Sequence, residues 1–310
     1  MKIGLLTDSL TDLAFDAMLD AAAGLKIECL EFACGNWSTA PHIALDELLE
    51  NDGSRRNFLA AISDHGMSIS ALNCSGNPLY PGAEGERQRE ITLKTFRLAR
   101  LLGVDRIVMM SGLPGGPGDA NPNWITTTWP PECMAILDHQ WNKELIPYWR
   151  NLADFAREQG VRQICLELHG CQLVYNPFTL NRLRETIGPI IGANYDPSHP
   201  LWMGADPLAA VRSLGSAIYY VHAKDCRIEP IPLGVDGVLD TRPSSEVALR
   251  SWNYATLGYG HDESWWRQFC AALRMVGYND VLSIEHEDSL LPPLEGVQKS
   301  VDLLRRVMFA

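Results

Sequence analysis

Short apolar runs alternate with longer amphipathic segments along the whole chain. Runs typical of buried β-strands occupy 1–6, 28–32, 68–73, 106–110, 163–168, 191–195, 217–223 and 281–285. Segments with helical spacing of apolar positions occupy 12–25, 55–65, 84–102, 131–159, 177–186, 207–214, 263–276 and 293–307. Glycines follow most of these segments, and Pro, Asp or Ser opens several, as helix capping requires. The pattern predicts eight strands and eight main helices in alternation.

Strict alternation predicts parallel strands joined by right-handed crossovers. Eight units favour an α/β fold, a single (β/α)₈ barrel domain over residues 1–310, with an open doubly wound sheet as the alternative. The turn after the first strand reads LLTDSL, without the glycines of a dinucleotide-binding loop. Pro147 interrupts the 131–159 segment and divides it into two pieces if the helix breaks there.

Two connections are much longer than usual, 111–130 after the fourth strand and 226–260 after the seventh. Both leave the carboxyl ends of strands, the face on which barrel enzymes carry their active sites. They contain Trp124, Trp129 and Trp252, which suit a lid, a wall that stacks on a sugar, or an oligomer interface. We predict long loops after strands four and seven at the mouth of the barrel.

Composition excludes several classes of function. The net charge of −12 argues against a nucleic-acid partner but leaves a small anionic substrate open. The eight cysteines form no C-x-x-C pair, and several fall inside predicted strands or helices, so we expect buried reduced thiols. Neither a secretory signal nor an apolar run of membrane-spanning length is present, which favours a soluble cytoplasmic protein.

Four successive strand ends carry potential metal ligands. The fifth strand ends in CLELHG with Glu167, the sixth in ANYDPSH with Asp196, the seventh in YVHAKD with His222 and the eighth in SIEHED with Glu285. Three carboxylates meeting at one barrel mouth would repel one another unless a cation lay between them. We therefore predict one divalent metal ion. A mostly oxygen site with one imidazole favours Mn²⁺ or Mg²⁺, with Zn²⁺, Co²⁺ or Fe²⁺ possible.

Further polar residues lie near these ends. Residues two apart in a strand share a face, which places His169, Lys224 and Glu287 beside the ligands Glu167, His222 and Glu285. His169 and His199 are candidates for substrate contact or general base, and structural histidines are the alternative. Lys224 and Asp225 either orient substrate or pair with each other.

Arg227 is a candidate cation for a hydroxyl, keto or phosphate group, although a surface arginine is equally compatible with its position. Weaker candidates follow other strands and either line the pocket or cap turns: Asp8, Ser9, Asn36, Asn73 and Ser111. We retain Asn36 and Trp124 as candidate substrate-binding residues.

The sequence resembles the xylose-isomerase-like barrel superfamily, specifically its sugar phosphate isomerase/epimerase group. The segments that carry the resemblance are LELHG, NYDPSHPLWMGADP, VHAKD and GYGHDESWWRQFCAALRMVGYNDVLSIEHED, roughly residues 160–290. The resemblance implies the ligand set Glu167, Asp196, His222 and Glu285. In the ketose 3-epimerases of this group, the two matching glutamates also shuttle the proton through a metal-stabilised enediolate, and the histidine matching His199 contacts the substrate. Glu167 and Glu285 would then be acid and base.

Two differences from the ketose 3-epimerases favour a second activity as an alternative. The connection after strand seven is longer than in ketose epimerases, and Arg227 is not at the spacing of their arginine. The VHAKD element and the long loops resemble those of inosose dehydratases and of lyase subunits that cleave 3-keto-glycosides. Elimination begins with the same removal of a proton α to a carbonyl, and His169 would be the second acid. We predict a sugar isomerase or epimerase, with a lyase or dehydratase as the alternative.

Two other readings receive less support. A DNA-repair endonuclease on the same barrel needs more histidines, but strands two and three end in EFACGN and ALNCSG. A partner-dependent subunit would have a metal site that is inert without another chain. We expect a small sugar or keto-sugar as partner, neutral because no phosphate-binding glycine loop is present, with neither nucleic acid nor membrane. We expect a homo-oligomer, or assembly with a partner subunit.

Overall fold

The structure is a computed structural model that describes residues 1–309. Its strands are β1 (Lys2–Leu6), β2 (Cys29–Ala33), β3 (Ser68–Asn73), β4 (Arg106–Met109), β5 (Gln163–Glu167), β6 (Ile191–Tyr195), β7 (Ile218–Ala223), β8 (Asp225–Ile228), β9 (Trp252–Ala255) and β10 (Val281–Ile284). Eight of them close a parallel barrel in the order β1-β10-β7-β6-β5-β4-β3-β2. The predicted (β/α)₈ barrel is confirmed, and the open sheet is wrong.

The α-helices are α1 (Phe15–Gly24), α2 (Leu45–Glu50), α3 (Asp52–Asp64), α4 (Ala83–Leu102), α5 (Glu132–His139), α6 (Ile146–Glu158), α7 (Pro177–Ile187), α8 (Ser198–Trp202), α9 (Pro207–Leu214), α10 (Pro230–Asp236), α11 (Glu263–Met275) and α12 (Pro293–Val307). Short helices α2, α8 and α10 were not predicted, because five to seven residues are too few to show a helical period.

The segment 131–159 stays helical throughout. Between α5 and α6 the chain forms a π-helix over Gln140–Leu145, and Pro147 lies in the first turn of α6. Proline lacks the N–H that an α-helical hydrogen bond would use, and a wider π turn accommodates that loss without a break. The proline thus marks a local change of helix type.

The chain divides into two compact units. One comprises Met1–Glu31, Ala61–Ser70 and the chain from Tyr195 onwards, and the other comprises Phe32–Ala60 and Ala71–Asn194. Trp266 and Phe269 are among the fully buried side chains of the first unit, and Trp141 and Trp149 of the second. A single domain over residues 1–310 stays a prediction.

The connection after β7 contains regular structure, which corrects the prediction of a long loop there. Strands β8 and β9 pair antiparallel, with Asp225 opposite Ala255 and Ile228 opposite Trp252. Helix α10 lies between them in the chain. Both strands have four residues, too few for an alternating pattern to be read from the sequence. The connection after β4, over 111–130, has neither helix nor strand, as predicted.

All eight cysteines fall within the described residues and are free thiols, six of them buried. Burial raises the pKa of Cys74 to about 12, which keeps that thiol protonated. Among the helices of residues 1–309, none combines the length and the apolar character that a membrane span requires.

Candidate metal centre

The four predicted ligand residues come together in the structure. Glu167 is the last residue of β5, Asp196 follows β6, His222 lies near the end of β7, and Glu285 follows β10. Each offers one ligand atom, and these four atoms all lie within 4.8 Å of one another. Glu167, Asp196 and His222 are buried, and Glu285 is partly exposed.

The donor set fits a single divalent cation. Nδ1 of His222 lies 2.8 Å from Oε2 of Glu285, so the imidazole and a carboxylate already converge. Three carboxylates held this closely away from water repel one another, and a divalent cation offsets that repulsion. Carboxylate oxygens with one imidazole nitrogen suit Mn²⁺, Mg²⁺ and Zn²⁺. Glu167, Asp196, His222 and Glu285 are the residues that would hold the ion.

The other nitrogen of His222 contacts a buried acid that the sequence analysis missed. Nε2 of His222 lies 3.1 Å and 2.9 Å from the two carboxylate oxygens of Glu31, in the middle of β2. The hydroxyl of Ser283 also donates to Glu31, at 2.8 Å. Glu31 is completely buried. An acid inside the otherwise apolar run CLEFA was the signal available in the sequence.

Two further ligands have hydrogen-bond partners that orient them. The side-chain amide of Asn194 donates to Oε2 of Glu167 at 3.1 Å. The backbone N–H of Ser198 donates to Oδ1 of Asp196 at 2.7 Å. Such contacts fix a carboxylate in one orientation before a metal binds, which lowers the entropy lost on binding.

His199 lies against Asp196, fully buried. Its Nε2 is 3.1 Å from Oδ2 of Asp196, and its Nδ1 accepts a hydrogen bond from the indole of Trp202 at 3.3 Å. An indole N–H only donates, so Nδ1 is the acceptor and, in the neutral ring, Nε2 carries the proton. The hydroxyl of Tyr254 is also 3.3 Å from Nδ1. The ring therefore positions a metal ligand, and its predicted contact with substrate stays a prediction.

Lys224 and His222 contact different oxygens of the Glu285 carboxylate. Its Nζ is 3.2 Å from Oε1 of Glu285, 2.7 Å from Oε2 of Glu287 and 4.1 Å from the ring centre of Tyr254. Burial disfavours the charge, but Glu285 and Glu287 outweigh it and raise the pKa of Lys224 well above its ordinary value. The cation is therefore permanent at neutral pH.

Lys224 pairs with Glu285 and Glu287, not with Asp225, which was one of the two predicted alternatives. Asp225 contacts the chain that follows β9. The buried carboxylate accepts from the backbone N–H groups of Gly258, Gly260 and His261 at 3.1, 3.2 and 2.9 Å. It also contacts the His261 ring at 2.8 Å and the Trp266 indole at 3.2 Å. Asp225 thus ties the start of β8 to the chain that follows β9.

His169 and Arg227 have local contacts. Nδ1 of His169 contacts the carbonyl of the next residue, Gly170. Arg227 donates to Glu229 at 2.6 Å, so its charge is already partnered. Their predicted roles, as acid and as substrate-binding cation, stay predictions.

Asn36 and Trp124 lie in the second compact unit. The Asn36 amide donates to the carbonyl of Cys74 at 2.8 Å, as expected of a residue that fixes a turn. Trp124 packs edge-on against Tyr175 with ring centres 5.5 Å apart. Substrate contact by either residue stays a prediction.

Comparison with known proteins agrees with this geometry. A family profile described as a xylose isomerase-like TIM barrel matches residues 19–307. The chain belongs to this family. It is also 50% identical over 311 residues to the uncharacterized protein YfiH of Bacillus subtilis strain 168, covering 99% of both chains.

Solved structures of this family share the fold. The IolI protein, crystallised with a bound zinc atom, superposes with a TM-score of 0.68 at 18% identity over 100% of both chains. D-psicose 3-epimerase from Clostridium cellulolyticum H10, solved with D-tagatose, superposes with a TM-score of 0.65 at 15% identity over 100% of both chains. At these identities the likeness establishes the fold alone.

Proposed function

We propose that this protein is a divalent-metal-dependent isomerase or epimerase of a sugar or keto-sugar, which begins by removing a proton α to a carbonyl. The observation that carries the proposal is the convergence of four ligand atoms within 4.8 Å, three of them from carboxylates, at the carboxyl ends of barrel strands. The bound zinc in IolI and the activity named for D-psicose 3-epimerase support the same class of chemistry. We favour Mn²⁺ as the native ion.

A bound divalent cation would polarise the substrate carbonyl and offset the negative charge that develops when the adjacent C–H bond is broken. Glu167 is the side chain to which we assign the base. It is buried, so water competes weakly for its oxygens, and Asn194 fixes its orientation through Oε2. The backbone N–H of Ser198 holds Asp196 through Oδ1, and the His199 ring lies against Oδ2 at 3.1 Å. These residues bind and orient, and Glu167 moves the proton.

Glu285 has a different environment from Glu167. The Lys224 ammonium lies 3.2 Å from its Oε1 and His222 lies 2.8 Å from its Oε2. An epimerase that uses both glutamates requires Glu285 to take or return a proton in competition with the Lys224 ion pair. A lyase requires one base for its first step and a separate acid for the leaving group. This contact keeps a lyase or dehydratase of a keto-sugar, keto-inositol or 3-keto-glycoside as our second candidate.

Deuterium incorporation tests the proposal. Protein loaded with Mn²⁺ is incubated in D₂O with a panel of ketoses, keto-inositols and 3-keto-glycosides, and exchange of C–H positions is followed by NMR. We expect exchange at one carbon next to the carbonyl of at least one substrate. Loss of water or aglycone in the same sample identifies the lyase, and a new stereoisomer identifies the epimerase.

Matched variants make the test specific. Glu167→Gln is expected to abolish exchange because an amide cannot accept the proton, while Glu185→Gln, an exposed residue of α7, leaves exchange unchanged. EDTA treatment is expected to abolish exchange and Mn²⁺ to restore it. Undiminished exchange in Glu167→Gln would discard the assigned base. No bound divalent ion in elemental analysis of the purified protein, and none after Mn²⁺ loading, would discard the metal centre.

The cellular location and the assembly stay part of the proposal. We expect a cytoplasmic protein that forms a homo-oligomer or joins a partner subunit.

A further inference from the structure

A buried series of hydrogen bonds leads from His222 through Glu31. Nε2 of His222 contacts both oxygens of Glu31, and the Ser283 hydroxyl donates to Oε2 of Glu31 at 2.8 Å. The hydroxyl of Tyr220 lies 2.7 Å from the hydroxyl of Ser70, and the Tyr220 ring packs edge-on against the ring of His222 with centres 6.0 Å apart. We call three of these residues the β2 relay: Ser283, Glu31 and His222. All three belong to the same compact unit.

The relay places a full carboxylate where water does not reach. Glu31 is completely buried, and an isolated buried carboxylate is strongly unfavourable unless hydrogen bonds or an opposite charge offset its loss of hydration. Ser283 and His222 supply those hydrogen bonds. The other four residues of β2 are apolar, and an apolar residue at position 31 would make the strand more stable. We therefore expect this acid to serve the site to which His222 belongs.

Glu31 determines which nitrogen of His222 carries a proton. Both oxygens of Glu31 face Nε2 of His222, and Oε2 also accepts from Ser283, so Nε2 is the donor in this contact. The other nitrogen, Nδ1, then faces the remaining metal ligands. It lies 2.8 Å from Oε2 of Glu285, which is one of them. A metal-binding imidazole needs its ligand nitrogen unprotonated and its other nitrogen held as a donor.

We infer that Glu31 is a positioning residue that holds the Nε2–H of His222 so that Nδ1 is presented to the metal ion, and that Ser283 holds Glu31 in place. The inference rests on the proposed metal centre and adds to it a residue that orients one of the ligands. The carboxylate also makes the imidazole a stronger electron donor, because it stabilises the positive charge that metal binding induces on the ring.

Metal affinity measured by calorimetry tests the inference without reference to activity. Metal-free protein is titrated with Mn²⁺ and with Zn²⁺. We expect Glu31→Gln to weaken binding about 10- to 100-fold, the usual effect of losing the carboxylate behind a histidine ligand. Ser283→Ala removes the hydroxyl that donates to Oε2 of Glu31 and is expected to weaken binding by a smaller factor.

Ser300→Ala is the matched control. The buried Ser300 hydroxyl also donates a hydrogen bond, to the carbonyl of Gly296 at 2.8 Å within α12, and neither residue belongs to the β2 relay. The two serine variants therefore lose similar interactions, and only Ser283→Ala is expected to change metal affinity. Glu31→Asp keeps the charge and is expected to retain more affinity than Glu31→Gln.

The protonation of His222 provides a second readout. In Zn²⁺-loaded protein labelled with ¹⁵N-histidine, we expect a slowly exchanging proton on Nε2 of His222 and none on Nδ1. In Glu31→Gln we expect that proton to exchange faster, because an amide oxygen is a weaker acceptor than a carboxylate. A proton on Nδ1 in the wild-type protein would overturn the inference.

The outcomes separate this inference from the proposed function. If wild-type protein binds neither Mn²⁺ nor Zn²⁺, the metal centre itself is wrong. If wild-type protein binds metal and a folded Glu31→Gln variant binds it equally well, only the positioning role is wrong. Should Glu31→Gln fail to fold, equal metal affinities of Ser283→Ala and Ser300→Ala would overturn the inference in its place.

Discussion

At the scale of single residues, the charge on Lys224 most directly distinguishes the two glutamates of the candidate centre. Its ammonium is buried, bonds to Glu285 and Glu287, and lies over the ring of Tyr254. Glu167 has the neutral amide of Asn194 instead. A carboxylate beside a permanent cation holds a proton less readily than one beside an amide, which favours Glu167 as the base.

We predict that Lys224→Met lowers the deuterium-exchange rate at least tenfold and also destabilises the fold. Breaking a fully buried ion pair costs about 3–5 kcal/mol, but Glu287 is half exposed and can be rehydrated, so we expect roughly 1–3 kcal/mol. Urea unfolding measures the stability, and exchange in D₂O measures the chemistry. Lys224→Arg keeps the charge and is expected to recover part of both.

Lys299→Met is the control for this prediction. Lys299 also pairs with a glutamate, Glu295 at 3.4 Å, and approaches a tyrosine ring, Tyr259, but it lies at the surface. Solvent screens such pairs, so we expect no change in exchange and a stability close to that of wild type. Equal effects of the two lysine variants would show that the buried position of Lys224 is unimportant.

The pH dependence of this contact has a definite sign. Burial opposes the charge of Lys224, but its carboxylate partners prevail and raise its pKa, so the contribution to stability is fully present below the ordinary lysine pKa. It is lost only as pH rises through the raised value. The stability difference between wild type and Lys224→Met is therefore expected to stay constant from about pH 6 to pH 9.

The four ligands were predictable from the sequence, and the buried residues that orient them were not. Glu167 and Asp196 each end an apolar run, which is how barrels present catalytic groups. Glu31 and Asn194 lie inside strands, where the sequence does not tell which way a side chain points or which strand faces it. Their roles depend on pairings set by barrel closure, such as Asn194 opposite Glu167.

At the scale of elements, the insertion after β7 is held by one carboxylate. Asp225 begins β8, and it accepts hydrogen bonds from Gly258, Gly260 and His261, beyond the end of β9. The hairpin between these points carries Tyr254, which contacts both Lys224 and His199. Fixing the two ends of the insertion therefore fixes an aromatic residue beside the candidate centre.

We predict that Asp225→Asn loosens this insertion. The amide offers one acceptor oxygen where the carboxylate offers two, and its NH₂ group faces donors, so we expect a loss of about 2–4 kcal/mol in the free energy of unfolding. Hydrogen exchange read by mass spectrometry should show faster exchange over residues 256–262. The exchange of α4, in the other compact unit, should be unaffected.

Asp206→Asn is the matched control, because Asp206 caps α9 through the backbone N–H groups of Leu208 and Ala209 and asparagine caps a helix equally well. We expect its stability to stay close to that of wild type. Wild-type protection of residues 256–262 in Asp225→Asn would refute the anchoring role of this carboxylate.

Long elements were predictable from the sequence, and short ones were not. Helices α4 and α12 have enough turns to display an apolar face, and their ends carry clear capping signals such as Gly103 after α4. The strands β8 and β9 are defined by their pairing with each other, which is a tertiary interaction. Their four-residue sequences are as typical of a loop as of a strand.

At the scale of the whole molecule, alternation was sufficient to predict the barrel. Strands β2, β5 and β6 are buried along almost their whole length, as expected when both faces are covered. The alternation of strands and helices does not determine the reaction, because barrels of this fold catalyse many different reactions through differences in their loops. The family is thus firmly assigned, and the substrate stays a matter for experiment.

Metal binding is expected to stabilise the entire protein. Each ligand comes from a different barrel strand or the residue after it, so an unfolded chain cannot assemble the site, and binding to the folded state alone shifts the folding equilibrium. At a free metal concentration 100 times the dissociation constant, the gain is about 2.7 kcal/mol. We predict that EDTA lowers the melting temperature by several degrees and that Mn²⁺ restores it.

Scanning calorimetry with and without metal measures this shift in melting temperature. Two variants test whether the shift depends on the proposed ligands. Glu167→Gln removes a charged ligand and is expected to reduce the metal-dependent shift, while Glu185→Gln, at the surface of α7, retains it in full. Because the ligands bind metal only when deprotonated, the shift should also diminish as pH falls towards 4. A melting temperature that does not respond to Mn²⁺ in wild type at pH 7 would mean that Glu167, Asp196, His222 and Glu285 converge without serving as a metal site.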